Sequence, residues 1–177
     1  MPLSAQLSQH GILLSGGIGK VDAKIDKSAV DLEDISHKFG LSIGYRLRFN
    51  TSMPKKLHYD LDLNVGTKFF QTLYGFTNES SSNTFTSIGG SVNYSLMKNI
   101  SLGLGAEPVY YWGIGSESRI KNFDVPAVAK ISYNLKFVEI GISGKYGFVK
   151  LFETNHLKSG RIRELQISAF IPFKRNH

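Results

Sequence analysis

The chain has 177 residues, no cysteine, 21 Lys and Arg against 14 Asp and Glu, a formal net charge of +7 and 41 % hydrophobic residues. One domain is the expectation at this length. Disulfides, thiolate metal sites and cysteine nucleophiles are excluded, and no run approaches the roughly 20 apolar residues of a membrane helix.

Residues 1–10 read as a tail. Leu3-Ser4-Ala5 before Gln6 resembles the end of a secretory signal, with a small residue at the cleavage point, and sets a mature start near Gln6; a plain disordered tail is the alternative. Strand one, 11–24, is untidy. Ile12, Leu14 and Ile18 share a face, then Val21, Ala23 and Ile25 take the opposite parity, so a bulge is expected at Gly16, Gly17 and Gly19. Residues 30–36 offer at most a short turn of helix. Strand two, 38–49, places Phe39, Leu41, Ile43, Tyr45, Leu47 and Phe49 opposite Lys38, Gly40, Ser42, Gly44, Arg46 and Arg48. Strand three, 57–70, alternates most cleanly: Leu57, Tyr59, Leu61, Leu63, Val65 and Phe69 against His58, Asp60, Asp62, Asn64, Gly66 and Lys68. Period-two alternation means strand.

Strand four, 84–96, has Ser87, Gly89, Ser91, Asn93 and Ser95 as its polar face. Strand five, 100–114, sets Ser101, Gly103, Gly105 and Glu107 against Leu102, Leu104, Pro108, Tyr110 and Trp112. Strand six, 123–135, has Phe123, Val125, Ala127, Ala129, Ile131, Tyr133 and Leu135 on its apolar face. Strand seven, 137–150, carries Glu139, Gly141, Ser143, Lys145 and Gly147, and strand eight spans 162–173 before a tail, 174–177. Connections alternate between short (50–56, 97–99, Lys136) and longer (25–37, 77–83, 115–122, 151–161), the pattern of an up-and-down barrel whose short turns share one end.

The polar faces are rich in Gly and Ser, which suit a crowded lumen better than a watered surface. Parity assigns eight cations to that lumen: Lys20, Lys24, Lys38, Arg46, Arg48, Lys68, Lys130 and Lys145. It assigns seven acids: Asp22, Asp60, Asp62, Glu107, Asp124, Glu139 and Glu164. Near-balance is what an enclosed space demands, because a buried charge is tolerated only when paired. On the apolar face, Phe49, Tyr59, Tyr94, Tyr133 and Phe173 fall near the short-turn end. Phe39, Phe69, Trp112, Phe123 and Phe148 fall near the other. Two aromatic girdles around an aliphatic waist mark a membrane barrel. A lipocalin-like soluble binding barrel would instead hold these rings inside, where eight strands leave little room.

With these features the chain resembles the small eight-stranded outer-membrane barrels of the OmpX and OmpA-membrane-domain kind, most of all those frequent in Bacteroidetes. The last strand, Leu165 to Phe173, is similar to their C-terminal insertion signal, with Lys174–His177 added after the final aromatic. The resemblance implies an all-β, eight-stranded antiparallel up-and-down transmembrane β-barrel over 11–173, located in the bacterial outer membrane. It implies membrane lipids, lipopolysaccharide and the outer-membrane assembly machinery as partners, no nucleic acid, and a monomer.

Chemistry-bearing motifs are weak. Asp60-Leu61-Asp62-Leu63-Asn64 starts like a calcium loop, but its glycine falls late and Gln71 stands where the bidentate Glu belongs. Gly16-Gly17-Ile18-Gly19-Lys20 lacks the first glycine and the hydroxyl of a phosphate loop. His10, His37, His58, His156 and His177 form no metal spacing, so neither metal nor cofactor is expected. Lipid A deacylases of the PagL type carry an outward His-x-Ser where this chain has Gly144-Lys145-Tyr146-Gly147-Phe148. His156 with Ser159 and Glu153 is the best remnant of a catalytic set. Pro108 and Pro126, on neighbouring strands, each remove a ladder donor and are a candidate lateral gap. The favoured reading is a non-enzymatic barrel with a closed, salt-bridged lumen and a structural or surface-interaction role. An outer-leaflet lipid-modifying enzyme and a soluble binding barrel are the alternatives.

Overall fold

The computed structural model describes residues 5–25, 32–51, 56–74, 77–112, 122–149 and 157–173. Eight antiparallel strands follow one another around a closed circuit. They are β1 (Ala5–Ile25), β2 (Leu32–Thr51), β3 (Leu57–Tyr74), β4 (Thr77–Ser95), β5 in two pieces (Ile100–Ala106 and Val109–Trp112), β6 in two pieces (Phe123–Asp124 and Ala127–Asn134), β7 (Glu139–Tyr146) and β8 (Leu157–Pro172). Each strand pairs with the next, and β8 pairs back onto β1.

The register fixes the geometry of the cylinder. Pairing runs from His10 through Leu47, Leu61, Gly90, Ala106, Ala127, Tyr146 and Arg163, and returns to β1 at Lys20, ten residues from its start. A stagger of that size over eight strands corresponds to a tilt of roughly 40°. The 21 residues of β1 then rise roughly 50 Å, about twice the ~25 Å apolar band of an outer-membrane barrel.

Several boundaries differ from the sequence expectation. β1 begins at Ala5, inside the stretch read as a tail, and residues from Ala5 on pair with β2. β2 begins at Leu32, inside the stretch read as a helical turn. The residues read as a loop at 77–83 are strand, and β3–β4 pairing continues to Tyr74↔Thr77. β8 starts at Leu157. These extensions lack alternation, which is the signal from which strands are read. Their backbone groups still pair with each other.

A further difference lies within β1. No bulge occurs at Gly16–Gly19: the β1–β8 ladder runs unshifted from Gly11↔Pro172 to Lys24↔Ser159. The irregularities lie between Leu7 and Gln9, against β2, and between Lys24 and Ile25, against β8. Unbroken parity sends Val21 into the lumen, 1 % exposed, and turns Lys20 outward. Lys20 is therefore not a lumen cation. The side chains of Asp22, Lys24 and Lys38 lie outside the described residues.

Outside, the barrel is apolar. Ile18, Leu41, Ile43, Ile88, Leu104, Ile142, Leu165 and Ile167 are all more than half or nearly half exposed, and Leu104 reaches 70 %. Leu104→Arg is expected to cost about 2–4 kcal/mol, the value for a cation on a lipid-facing midplane, in equilibrium refolding into lipid vesicles. Lys98→Gln, in the β4–β5 turn, is expected to cost close to zero. A penalty under about 1 kcal/mol at Leu104 would place that side chain in water rather than lipid.

Candidate functional site

The lumen is the chemically distinctive part of the molecule. Alternation on β2 aims Arg46 and Arg48 inward. The β2–β3 register sets them directly opposite Asp62 and Asp60. Each guanidinium forks onto its carboxylate: Arg46 Nε and Nη2 donate to Asp62 at 2.7 and 2.8 Å, and Arg48 Nε and Nη2 donate to Asp60 at 2.7 and 3.0 Å. Such bidentate pairs combine charge with fixed geometry. Glu139 reaches across from β7 and accepts from Arg46 at 3.2 Å and from Arg48 at 2.6 and 2.9 Å. Lys130 of β6 completes the group, donating to Asp60 at 2.7 Å. Phe170 of β8, 1 % exposed, lies against both guanidiniums, 5.2 Å from Arg46 Cζ and 5.4 Å from Arg48 Cζ. That contact satisfies the faces that hydrogen bonds cannot reach.

A second cluster lies further along the strands. Lys68 donates to Glu164 at 2.7 Å and to the Tyr111 hydroxyl at 3.4 Å, with its ammonium 5.1 Å from the Phe85 ring. Lys145 pairs with Glu107, which also accepts from Ser87 Oγ at 2.7 Å. Glycines make the room: a Cβ on Gly103 would stand 2.8 Å from Lys130 Cε, and one on Gly66 would stand 2.8 Å from the Phe85 ring. Asp124, fully buried, accepts from the Val125 and Val149 amides at 2.8 and 3.0 Å.

The ten sequence-selected lumen charges thus fall in one network of six (Arg46, Arg48, Asp60, Asp62, Lys130 and Glu139) and two pairs, Lys68 with Glu164 and Lys145 with Glu107. What the sequence reading did not select is the apolar filling between them. Phe70, Phe85, Tyr111 and Phe170 are all under 5 % exposed, as are Leu13, Val21 and Val109. Parity held that information: Phe170 follows Glu164, Gln166 and Ser168 two by two, and Tyr111 follows Glu107 and Val109.

Of the girdle candidates, Phe39, Phe69, Tyr94, Trp112, Phe123, Tyr133, Phe148 and Phe173 are exposed on the outside, and Phe49 and Tyr59 are half-buried there. Some neighbouring outward rings pack together, including Phe39 with Phe69 and Tyr110 with Trp112. Pro108 points outward and Pro126 inward, one residue off direct opposition. Ile88 N–H donates to Pro108 O, and Glu107 N–H donates to Pro126 O, both at 3.0 Å. The return donors that the prolines lack therefore belong to two different walls, β4–β5 and β5–β6, where a shared weak wall was expected. His156 and Glu153 lie outside the described residues.

Asp60→Asn strands Arg48 and Lys130 beside a neutral amide. It is expected to lower stability by about 3–5 kcal/mol, read from the urea midpoint of refolding in vesicles. A loss below about 1 kcal/mol would mean that water reaches the cluster.

No protein-family model and no curated protein sequence matches the chain. Solved structures do. Ail, the attachment invasion locus protein of Yersinia pestis, in complex with the heparin analogue sucrose octasulfate, superposes with a TM-score of 0.54 at 15 % identity over 95 % of this chain and 100 % of its own. Neisserial surface protein A gives 0.45 at 15 % identity over 96 % of this chain and 99 % of its own. OprG from Pseudomonas aeruginosa gives 0.45 at 10 % identity over 96 % and 97 %. The likeness to Ail is one of fold, and it joins a closed eight-stranded circuit to an apolar outer wall. The chain has the fold of the small eight-stranded outer-membrane β-barrels.

Proposed function

We propose that this protein is a non-enzymatic integral outer-membrane barrel whose lumen is closed by its own ion-paired side chains. It acts as a structural or surface-interaction protein through the segments at its long-loop end. The observation that carries this reading is the Arg46–Arg48–Asp60–Asp62–Glu139–Lys130 cluster with Phe170 beneath it, whose core members are almost wholly buried. Eight strands leave an interior just wide enough to be filled by side chains, and side chains held by bidentate pairs do not swing aside for solutes. Reconstituted into planar bilayers, the protein is expected to give no steady conductance. A stable, large, open current would refute the closed lumen.

A second reading rests on the two prolines. An apolar groove of about 650 Å³ runs over the outer wall beside Leu63, Ile88, Pro108, Tyr110 and Phe123. It adjoins the place where two walls each lose one donor. An apolar ligand seated there would have a locally weakened ladder to part. Hydrogen exchange in detergent is expected to be faster at Ile88 and Glu107 than at Leu102. Equal, full protection at all three would end this reading.

A further inference from the structure

One row of the register is lined almost wholly by hydroxyls. Ser95 of β4 pairs with Ser101, Ser101 with Ser132, and Ser132 with Gly141. Gly141 pairs with Ser168, Ser168 with Ser15, Ser15 with Ser42, and Ser42 with Gly66. Gly66 then meets Phe85, back on β4 and ten residues from Ser95. The row is one complete turn of a spiral on the barrel wall. Ten tilted residues rise roughly 25 Å, the height of the apolar band. The chain neighbours Leu14, Leu41, Leu102, Ile131 and Ile167 are exposed on the outer wall, so the serines face the lumen.

Polar groups along this spiral lack partners. Ser15 and Ser132 within it, and Ser143 and Gln166 in the row beside it, are more than nine-tenths buried. None of these four side chains makes a hydrogen bond with a described residue. Each such group costs about 1–3 kcal/mol when left unmet, so together they call for a ligand that both donates and accepts. Paired strands stand roughly 4.8 Å apart, a gap that one water spans with two hydrogen bonds of roughly 2.8 Å. Where Gly141 interrupts the serines, the Ser168 hydroxyl leans over it. A Cβ there would stand 2.7 Å from Ser168 Oγ and 3.9 Å from Ser132 Cβ.

The two ends differ. Ser95 and Ser101 are half-buried beside the β4–β5 turn, with their hydroxyls 3.4 Å apart. At the other end a Cβ on Gly66 would stand 2.7 Å from Ser42 Cβ and 2.8 Å from the Phe85 ring. That ring is 3 % exposed, and its centroid lies 5.1 Å from Lys68 Nζ. One aromatic ring therefore stands between the last serine and the Lys68–Glu164 pair.

We propose that this row holds a single file of water, entered from the short-turn side and stopped at Phe85. The barrel is then a water conduit held shut by one ring. Apolar constrictions stop water by dewetting. A file one molecule wide passes no steady ion current, so the closed lumen stands.

The full chain, refolded into phosphatidylcholine vesicles, tests this with water itself as the probe. In magnetisation-transfer NMR, water should contact Ser15, Ser132, Ser143 and the Gln166 side-chain amide, while Val21 and Val109 stay dry. Absence of water at Ser15 and Gln166 would overturn the file. Osmotic shrinkage of the vesicles, followed by light scattering, reads the stop. The unaltered chain should give the protein-free rate, and Phe85→Ala a rate several-fold faster with no steady ion current. Adding Ser15→Val and Ser168→Val to Phe85→Ala should restore the protein-free rate. A Phe85→Ala chain no faster than empty vesicles, a steady ion current beside the faster rate, or a rate that survives the two valines would each overturn the conduit. Phe85→Val, which removes less volume, takes the place of Phe85→Ala if that variant loses heat-modifiable mobility. The water contacts need only the folded barrel, so their absence sinks the file whether or not the chain spans a membrane. A chain that folds without inserting sinks the conduit and the membrane reading together.

Discussion

A charge removed from water has to meet its opposite, and here that requirement reaches around most of the barrel. Asp60 and Asp62 on β3 hold Arg46 and Arg48 on β2, Lys130 comes from β6, and Glu139 crosses from β7. The cluster is a chord through the cylinder as well as a set of neighbours on its wall. Burying these ions costs several kcal/mol each, and the geometry has to be good for the pairing to offset that. Arginine suits the two central positions because its planar fork meets a carboxylate along one edge and leaves its faces free for Phe170.

That pairing is possible only because the opposing positions are small. Large inward groups sit beside glycine or serine: Lys130 beside Gly103, Phe85 beside Gly66, Glu107 beside Ser87. A stagger of ten sets the radius of the cylinder, and the alternation of large and small residues fills it. The lumen behaves as a packed core whose contents happen to be ionic, with Val21, Leu13, Val109 and four aromatic rings completing it.

Much of this was legible in the residues. Strict alternation on β2, β3, β5 and β7 gave both faces, and the excess of Gly and Ser on the polar side indicated which face was crowded. The failures have physical causes. Lys20 was placed inside because apolar Val21 looked like a lipid-facing residue, yet a lumen also needs apolar filling. The strand ends at 32–37, 77–83 and 157–161 were hidden because their residues do not alternate, and alternation is the signal from which strands are read. The cross-lumen partners were beyond reach for another reason. Period two reports a side, whereas Glu139 meets Arg46 and Arg48 from 93 and 91 residues away, a distance that only the closed register brings together.

The seam between β1 and β8 carries a kinetic consequence. Seven of the eight walls join strands adjacent in sequence and can zip as hairpins, but Gly11 must find Pro172, and the Phe173 amide must find the His10 carbonyl. Loops that long close slowly, and contacts of such sequence separation form late. Until they do, β1 and β8 are two bare edges of a curled sheet, open to pairing with any other strand. The step that completes the molecule is thus the one most exposed to error, and the chain is vulnerable for as long as its first and last strands remain apart.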